Sequence, residues 1–371
     1  MQEFQIAVLP GDGIGREVMS PCLALLEVAV ARVGGLKLTF DVHDAGAELY
    51  RRTGVAMPDT ALRAAESAHA ILLGAMGLPS VRYPDGTEVQ PHLNLREQFD
   101  LYAGVRPFRL LTGAPTPLSD PRAREIDCVL VRESTEGLFA ARTMTRREGN
   151  DAVFDTMRIT RRTSERLFEF AFALARSRAK IRGRPGRVTC VDKANVIPSM
   201  AFFRSIFLEC ASRHPDIRSD CAYVDAVGLK MVRAPWEFDV LVTENMFGDI
   251  LSDVGAGLIG GMGMAPSADI GDAHGVFQPC HGTAPDIAGR GVANPTAMIL
   301  SGAMMLEWLG ERHKVTACAT AAAALTHAVE AAFAEGTLVT PENGGTSGTA
   351  EVTARIRARL EQRPVATELG A

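Results

Sequence analysis

Short runs of consecutive hydrophobic residues alternate along this chain with longer segments of helical periodicity. The short runs are typical of buried strands and comprise residues 6–9, 38–41, 70–73, 128–132, 188–191 and 240–243. Hydrophobic positions recur at helical spacing in residues 17–32, 164–179 and 200–212, which predicts amphipathic helices there. Strands that alternate with helices in this way predict an α/β fold.

The last of these strands leads into a segment with two acidic residues. The pattern predicts a turn after Thr243 and then a helix that carries Asp249 and Asp253. Because residues four apart share one face of a helix, the two carboxylates repel each other. Their neighbours are apolar, so a solvated face explains them poorly, whereas Mg²⁺ or Mn²⁺ would turn the repulsion into attraction. The alternative is two unrelated Asp residues near helix ends, and the metal site is favoured over it.

The composition is that of a folded chain with reduced thiols. The chain has 371 residues, 47% of them hydrophobic and 22% charged, which is enough for two domains or one large α/β unit. The net charge is −5 and no block of like charge occurs, which disfavours nucleic acid as a partner. The seven scattered cysteines form no CxxC motif. With no signal sequence before the first strand and no apolar run of membrane-spanning length, we expect a soluble, cytoplasmic protein that does not enter a membrane.

A glycine-rich turn follows the first predicted strand and includes Gly11, Gly13 and Gly15. A dinucleotide-binding G-x-G-x-x-G motif would need glycine at position 16, where the chain has Arg16, so a Rossmann fold is not predicted. The turn is either a tight turn that requires positive φ or a loop that contacts a ligand, and the sequence leaves both open.

Several basic residues adjoin apolar runs, where an unpaired charge is costly. Arg96, Arg106 and Arg132 could bind carboxylates through two hydrogen bonds each, or they could form three separate structural ion pairs. Lys193 follows a strand and could serve as a base, although a lone lysine there is more often solvated. In the Gly- and Pro-punctuated loop of residues 281–295, Asp286 could accept from a ribose diol or cap the next helix.

Taken together and in this order, the motifs resemble the β-decarboxylating dehydrogenases, the family of isopropylmalate, isocitrate, homoisocitrate, tartrate and D-malate dehydrogenases. The matching segments are GDGIG, LR followed by LYAGVRP, VRESTEGLF, VDKANV, VTENMFGDILSD and HGTAPDIAGRGVANP, and they extend over essentially the whole chain. The resemblance implies a two-domain α/β fold with a mixed sheet, and a homodimer. Residues 1–101 plus 260–371 would form a large cofactor-binding domain. Residues 102–259 would form a small domain with the dimer interface and the metal ligands.

The same resemblance implies roles for individual residues in the oxidation and β-decarboxylation of a malate-type 2-hydroxy diacid. The residues implied for substrate binding are Arg96, Arg106, Arg132, His92 and Asn94. Asp249 and Asp253 would hold Mg²⁺ or Mn²⁺ together with Asp225 of the partner subunit. Lys193 would also cross the interface and act in deprotonation of the substrate hydroxyl.

The implied cofactor is NAD, because Asp286 and Ile287 stand where NAD-using members of the family have them. The carboxylate of Asp286 would also repel the 2′-phosphate of NADP. The other cofactor contacts implied by the resemblance are Ile14, Asn195, His281, Gly282, Thr283, Ala284 and Asn294.

Three features depart from the family pattern. Phe139 takes the place of the usual tyrosine acid and cannot donate a proton, and Gln278 stands where glutamate is usual. The stretch before Arg96 is polar at His92 and Asn94, which predicts a polar substrate in preference to 3-isopropylmalate. The alternative function is a catalytically weak regulatory or structural subunit of such a dehydrogenase. Phe139 and Gln278 favour that alternative, whereas the retained lysine, arginines and metal ligands argue against it.

Overall fold

A computed structural model describes residues 1–140 and 144–362 of the chain. The strands are β1 (Gln2–Gly11), β2 (Leu36–Val42), β3 (Ala70–Ala75), β4 (Ala103–Arg109), β5 (Asp127–Glu133), β6 (Arg146–Glu148), β7 (Ala152–Phe154), β8 (Arg187–Asp192), β9 (Arg218–Tyr223), β10 (Val240–Thr243), β11 (Pro266–Ile270) and β12 (Gly275–Pro279). The helices are α1 (Ile14–Val33), α2 (Ala47–Thr53), α3 (Asp59–Ser67), α4 (His92–Gln98), α5 (Arg161–Arg182), α6 (Pro198–Ser212), α7 (Val224–Arg233), α8 (Asn245–Leu258), α9 (Thr296–His313), α10 (Thr316–Ala334) and α11 (Thr349–Gln362).

Ten of the strands form one mixed sheet in the order β2-β1-β3-β12-β11-β4-β5-β10-β8-β9, and β6 pairs with β7 in a separate hairpin. The pairs toward both edges are parallel, whereas β11 is antiparallel to both of its neighbours and β4 is antiparallel to β5. The mixed sheet confirms the predicted fold class and differs from the all-parallel sheet of a Rossmann domain.

The sheet order follows the proposed division of the chain. The five strands from residues 1–101 and 260–371 lie side by side in one half, and the five from residues 102–259 lie in the other. The halves meet where β11 pairs with β4, so backbone hydrogen bonds join them. The assignment of the halves to two domains with separate roles stays a prediction.

All six strands and three helices that the periodicity predicts are present; β10 has the predicted bounds, and the others are longer by one or more residues at one end or both. Their hydrophobic sides are buried on the sheet. In the half formed by residues 102–259, for example, Phe168 and Phe172 of α5 pack against Phe203 and Phe207 of α6. Large aromatic side chains that are fully removed from water contribute roughly 1.5–3 kcal/mol each to folding.

Helix α10 corrects one expectation from the sequence. Among the described residues it is the one helix long and apolar enough to cross a membrane by length and composition. Its alanines make it apolar without bulk, which is why it does not stand out as a hydrophobic run. Cys318, Leu325, Val329 and Phe333 are buried, and the helix packs on α1, α9 and α11. These contacts are those of a core helix in the half formed by residues 1–101 and 260–371.

Candidate active site

A cavity of about 460 Å³ opens where the two halves of the sheet meet. Its walls come from α4, from β4 and β5, from the N-terminal part of α8, and from the loop after β12. The predicted site residues that line it are His92, Arg96, Arg106, Arg132, Phe139, Asp249, Asp253, His281 and Gly282. Residues distant in the chain therefore meet as the family resemblance implies.

Arg132 is the penultimate residue of β5, and its side chain extends to the start of α8. Its Nε and Nη2 donate to Oδ1 of Asn245 at 3.0 and 2.7 Å, and its Nη1 donates to Asp249. Gly248 makes this approach possible, because a Cβ atom at that position would lie 2.6 Å from Cγ of Arg132. Burial lowers the pKa of Arg132 to about 10, with further lowering by the charges of Arg96 and Arg106. The three guanidinium groups thus lie close enough to repel one another, and anions will be attracted to them.

Arg96 and Arg106 differ in their hydrogen-bond partners. Nε of Arg96 donates to Oδ2 of Asp269 at 3.1 Å, and both side chains are buried. Arg106 donates from Nη1 to Sγ of Cys280 at 3.3 Å, and its buried Nε has no hydrogen-bond partner among the described residues. Two of the arginines therefore form ion pairs within the chain, whereas Arg106 has no carboxylate among its described partners. A buried guanidinium of this kind is suited to a carboxylate of a ligand.

Asp249 and Asp253 both project from α8 into the cavity. The helix begins at Asn245, directly after β10, and the carboxylate of Glu244 caps it by accepting from the backbone N–H groups of Met246 and Phe247. Burial, followed by the charge of Asp249, raises the pKa of Asp253. The two carboxylates therefore share one cavity and interact, and their binding of a metal ion stays a prediction. Within the described part of the chain, neither belongs to a group of three side chains close enough to share an ion.

Lys193 and Asp225 lie together but outside this cavity. Nζ of Lys193 donates to Oδ1 of Asp225 at 2.5 Å, and 67% of the Asp225 side chain is exposed. This ion pair lowers the pKa of Asp225. Asn195 is exposed two residues after Lys193 and does not line the cavity either. One chain thus provides the arginines and two of the implied metal ligands in one place, and the implied base and third ligand in another.

The glycine-rich turn after β1 is packed against the loop that follows β12. The N–H of Ile14 donates to the carbonyl of Thr283 at 2.9 Å, and a Cβ atom on Gly13 would lie 2.1 Å from that oxygen. Asp12 is buried and accepts from the N–H groups of Ala47, Glu48 and Gly77, so its role is structural. Positive φ at Gly11 and Gly13 confirms the tight turn, whereas contact of this turn with a ligand stays a prediction.

The implied cofactor loop leaves Asp286 exposed and anchors Asn294 in the interior. Nδ2 of Asn294 donates to Glu342 at 2.9 Å, and its Oδ1 accepts from the N–H and hydroxyl of Thr296, where α9 begins. Asp286 caps no described helix, so that alternative is wrong. Ala284, with φ of +37°, precedes Asp286, Ile287 follows it, and both are partly buried.

The structure places Asn94 outside the cavity, contrary to its predicted role in the substrate pocket. It is exposed, because about 100° of rotation per residue turns it roughly 200° away from His92 around α4. The residues beside His92 that line the cavity are Gln90, Leu93 and Glu97. The wall next to Arg96 is therefore still mainly polar, but through different side chains.

The sequence did not single out Asp269, Asn245 or Ser134 as site residues. Asp269 is fully buried, and Ser134 donates to it at 3.3 Å. A lone aspartate within the short apolar strand β11 was the available signal, because a buried carboxylate requires a cationic partner.

Comparisons with known proteins identify the family of this chain. The family model described as isocitrate/isopropylmalate dehydrogenase matches residues 5–356. The chain belongs to this family. It is 41% identical over 359 residues to the 3-isopropylmalate/3-methylmalate dehydrogenase of Methanocaldococcus jannaschii, covering 96% of this chain and 99% of that protein. It is also 41% identical to the 3-isopropylmalate dehydrogenase of Methanothermobacter thermautotrophicus, covering 97% and 100%.

Two solved structures have the same fold. The isocitrate dehydrogenase of Methylococcus capsulatus superposes with a TM-score of 0.83 at 36% identity, covering 97% of this chain and all of that one. The TT0538 protein of Thermus thermophilus superposes with a TM-score of 0.84 at 34% identity, covering 99% of this chain and 70% of that one. Membership of this family confirms the prediction of an oxidoreductase of the β-decarboxylating dehydrogenase class.

Proposed function

We propose that this dehydrogenase oxidises a polar, malate-type 2-hydroxy diacid with NAD and Mg²⁺ or Mn²⁺, and that the β-carboxyl group then leaves as CO₂. The observation that carries this proposal is the convergence of Arg96, Arg106 and Arg132 on one cavity with Asp249 and Asp253. Guanidinium groups bind carboxylates, and paired carboxylates bind hard cations, so a hydroxy diacid and a divalent cation fit the same cavity.

Arg106 is the arginine best placed to receive a substrate carboxylate. It is buried, its Nε lacks a partner among the described residues, and its one described contact is the weak acceptor sulfur of Cys280. A carboxylate would supply the missing acceptor and neutralise the charge. Arg132 is already oriented by Asn245 and Asp249, so a second carboxylate would meet a guanidinium whose position is fixed in advance.

The metal fits the donor set on α8. Two aspartates on adjacent turns offer hard oxygen ligands. Burial and the charge of Asp249 raise the pKa of Asp253, and a cation bound between the two carboxylates would favour their ionised forms. A divalent cation bound there supplies a Lewis acid for the oxygen on C2. The third protein ligand would be Asp225 of the partner subunit, since Asp225 of the same chain lies outside the cavity.

Lys193 would reach the cavity from the partner subunit together with that Asp225. Nζ of Lys193 donates to Asp225, so the two groups would enter together. Lys193 would act as the base only in its neutral amine form, after its ammonium proton has passed to solvent, and Nζ would then take the proton of the substrate hydroxyl. The surface near the pair is apolar: exposed hydrophobic side chains on and beside α6, α7 and α8 include Val196, Phe202, Leu229, Val232 and Ile250. A homodimer that buries this surface accounts for both features.

NAD would bind along the turn after β1 and the loop after β12, which are hydrogen-bonded to each other. Asp286 is exposed on that loop and free to accept from a ribose diol. NAD bound there would supply the acceptor for the hydride from C2. We place the protein in the cytoplasm, where its seven free cysteines would stay reduced.

The substrate test is a panel of 2-hydroxy diacids, followed by NADH absorbance with and without Mn²⁺. Because Gln90, His92 and Glu97 border the cavity, a diacid with a polar group on C3 should exceed 3-isopropylmalate in kcat/KM by about tenfold or more. Excess EDTA should abolish turnover. A preference for 3-isopropylmalate would contradict the polar pocket, and no NADH with any diacid would favour the regulatory-subunit alternative.

Asp286→Ala should relax the preference for NAD over NADP by about tenfold or more. A hydrogen bond to a charged group contributes roughly 1.5–3 kcal/mol, and the substitution also removes the charge that repels a 2′-phosphate. The measurement is kcat/KM for each cofactor. Asp59→Ala, which removes an exposed carboxylate at the start of α3, is the matched control and should leave the ratio unchanged. A wild-type enzyme that prefers NADP would overturn the assignment.

A further inference from the structure

One buried carboxylate lies among the three arginines of the cavity. Asp269 is in β11, 1% exposed, and its Oδ2 accepts from Nε of Arg96 at 3.1 Å. Burial by itself would raise the pKa of Asp269, but the charges of Arg96, Arg106 and Arg132 outweigh it and hold the pKa below its usual value. Asp269 is therefore an anion within the substrate-binding cluster.

Gln278 of the neighbouring strand β12 completes the arrangement. Its Nε2 donates to the same Oδ2 of Asp269 at 2.7 Å, and its side chain lines the cavity. An ionised carboxylate only accepts hydrogen bonds, so the amide nitrogen must face Asp269 and the amide oxygen must face away. Oδ2 of Asp269 thus accepts from both Arg96 and Gln278. This shared acceptor places the amide of Gln278 next to the guanidinium of Arg96.

This contact shows what a glutamate at position 278 would meet. A glutamate at position 278 would place a second carboxylate in hydrogen-bond contact with Asp269, and two carboxylates at that distance cannot both be ionised at low cost. A single negative charge can thus reside on β11 or on β12, but not on both. In this chain it resides on Asp269.

We infer that Asp269 is a positioning residue for the reaction, which holds Arg96 and takes over the negative charge that a glutamate at position 278 would carry. The inference rests on the proposed binding of a diacid by the arginine cluster. Without the charge of Asp269, Asp249 would be the one carboxylate among the described residues left in hydrogen-bond contact with the three buried guanidinium groups. Arg96 would also lose the contact that fixes its direction, so part of the binding free energy of the substrate would be spent on ordering it.

The test is a charge-relocation series, Asp269→Asn, Gln278→Glu and the double variant. Asp269→Asn should raise KM for the diacid by about tenfold or more, with a smaller change in kcat, because it disturbs binding in both ground and transition states. Gln278→Glu alone should also bind poorly, and increasingly so as the pH rises and the shared proton is lost. In the double variant the new amide on β11 donates to the new carboxylate on β12. This exchange restores both the charge and the hydrogen bond, so affinity should recover about tenfold or more over Asp269→Asn.

The affinity of the wild type and of the three variants for malate can also be measured by calorimetry in the presence of Mn²⁺. This measurement does not require turnover. A failure of the enzyme to oxidise diacids would therefore be distinguished from a failure of this inference. Asp239→Asn is the matched control. Like Asp269, Asp239 forms ion pairs with arginine, in its case with Arg178 and Arg182, but it lies outside the cavity. The substitution should lower the melting temperature without changing the affinity. A double variant as weak as Asp269→Asn, or a KM unchanged by Asp269→Asn, would overturn the inference.

Discussion

Dimers that combine two inactive chains, Lys193→Ala and Asp249→Ala, should recover about half of the wild-type activity. Each mixed dimer has one site with an intact Asp249 from one subunit and an intact Lys193 from the other, while its second site lacks both. The physical reason is that Lys193 lies outside the cavity that Asp249 lines in its own chain. The measurement is NADH formation after co-expression of the two chains with different tags and purification through both.

The matched control is a mixture of Lys193→Ala with Asp225→Ala. Both residues would enter the partner's site together, so every mixed site would lack one of them and the mixture should stay inactive. Sites contained within single chains would leave both mixtures inactive. Recovery in the control as well would mean that Asp225 is dispensable for the metal.

Phe139→Tyr should speed formation of the decarboxylated product by about a hundredfold if protonation of the enol limits the reaction. A positioned general acid contributes typically about 10²–10⁴ in rate, and a phenylalanine ring contributes none. Phe139 lines the cavity, with its ring centroid 5.5 Å from Cζ of Arg132, so a hydroxyl on this ring would be near the bound diacid. The hydride step, followed as a pre-steady-state burst of NADH, should remain nearly unchanged.

Phe139→Leu separates the hydroxyl from the ring. It removes the aromatic contact with Arg132 and adds no acid, so it should not accelerate product formation. A Tyr variant no faster than the wild type, with no burst in either enzyme, would mean that another group supplies the proton. Ser134, Thr135 and Cys280 also line the cavity and would be the next side chains to test.

Local patterns in the sequence were sufficient to predict many elements of the fold. Runs of hydrophobic residues correctly located β1, β3 and β10, because a strand buried on both sides has hydrophobic residues at every position. They did not locate β9, which is a partly exposed edge strand of sequence RSDCAY, or β11, which is short and includes Asp269. The two aspartates of α8 could be predicted to share a face because their spacing alone determines it.

The partners of the charged residues were decided by tertiary structure alone. Arg96 and Asp269 are 173 residues apart, and no local periodicity connects them; they meet because β11 inserts next to β4 at the centre of the sheet. For the same reason the sequence could not distinguish Arg106, which has no carboxylate among its described contacts, from Arg132, which has Asp249. Helical spacing is fixed by backbone geometry and can be read locally, whereas the pairing of buried charges depends on which distant strands and helices pack together.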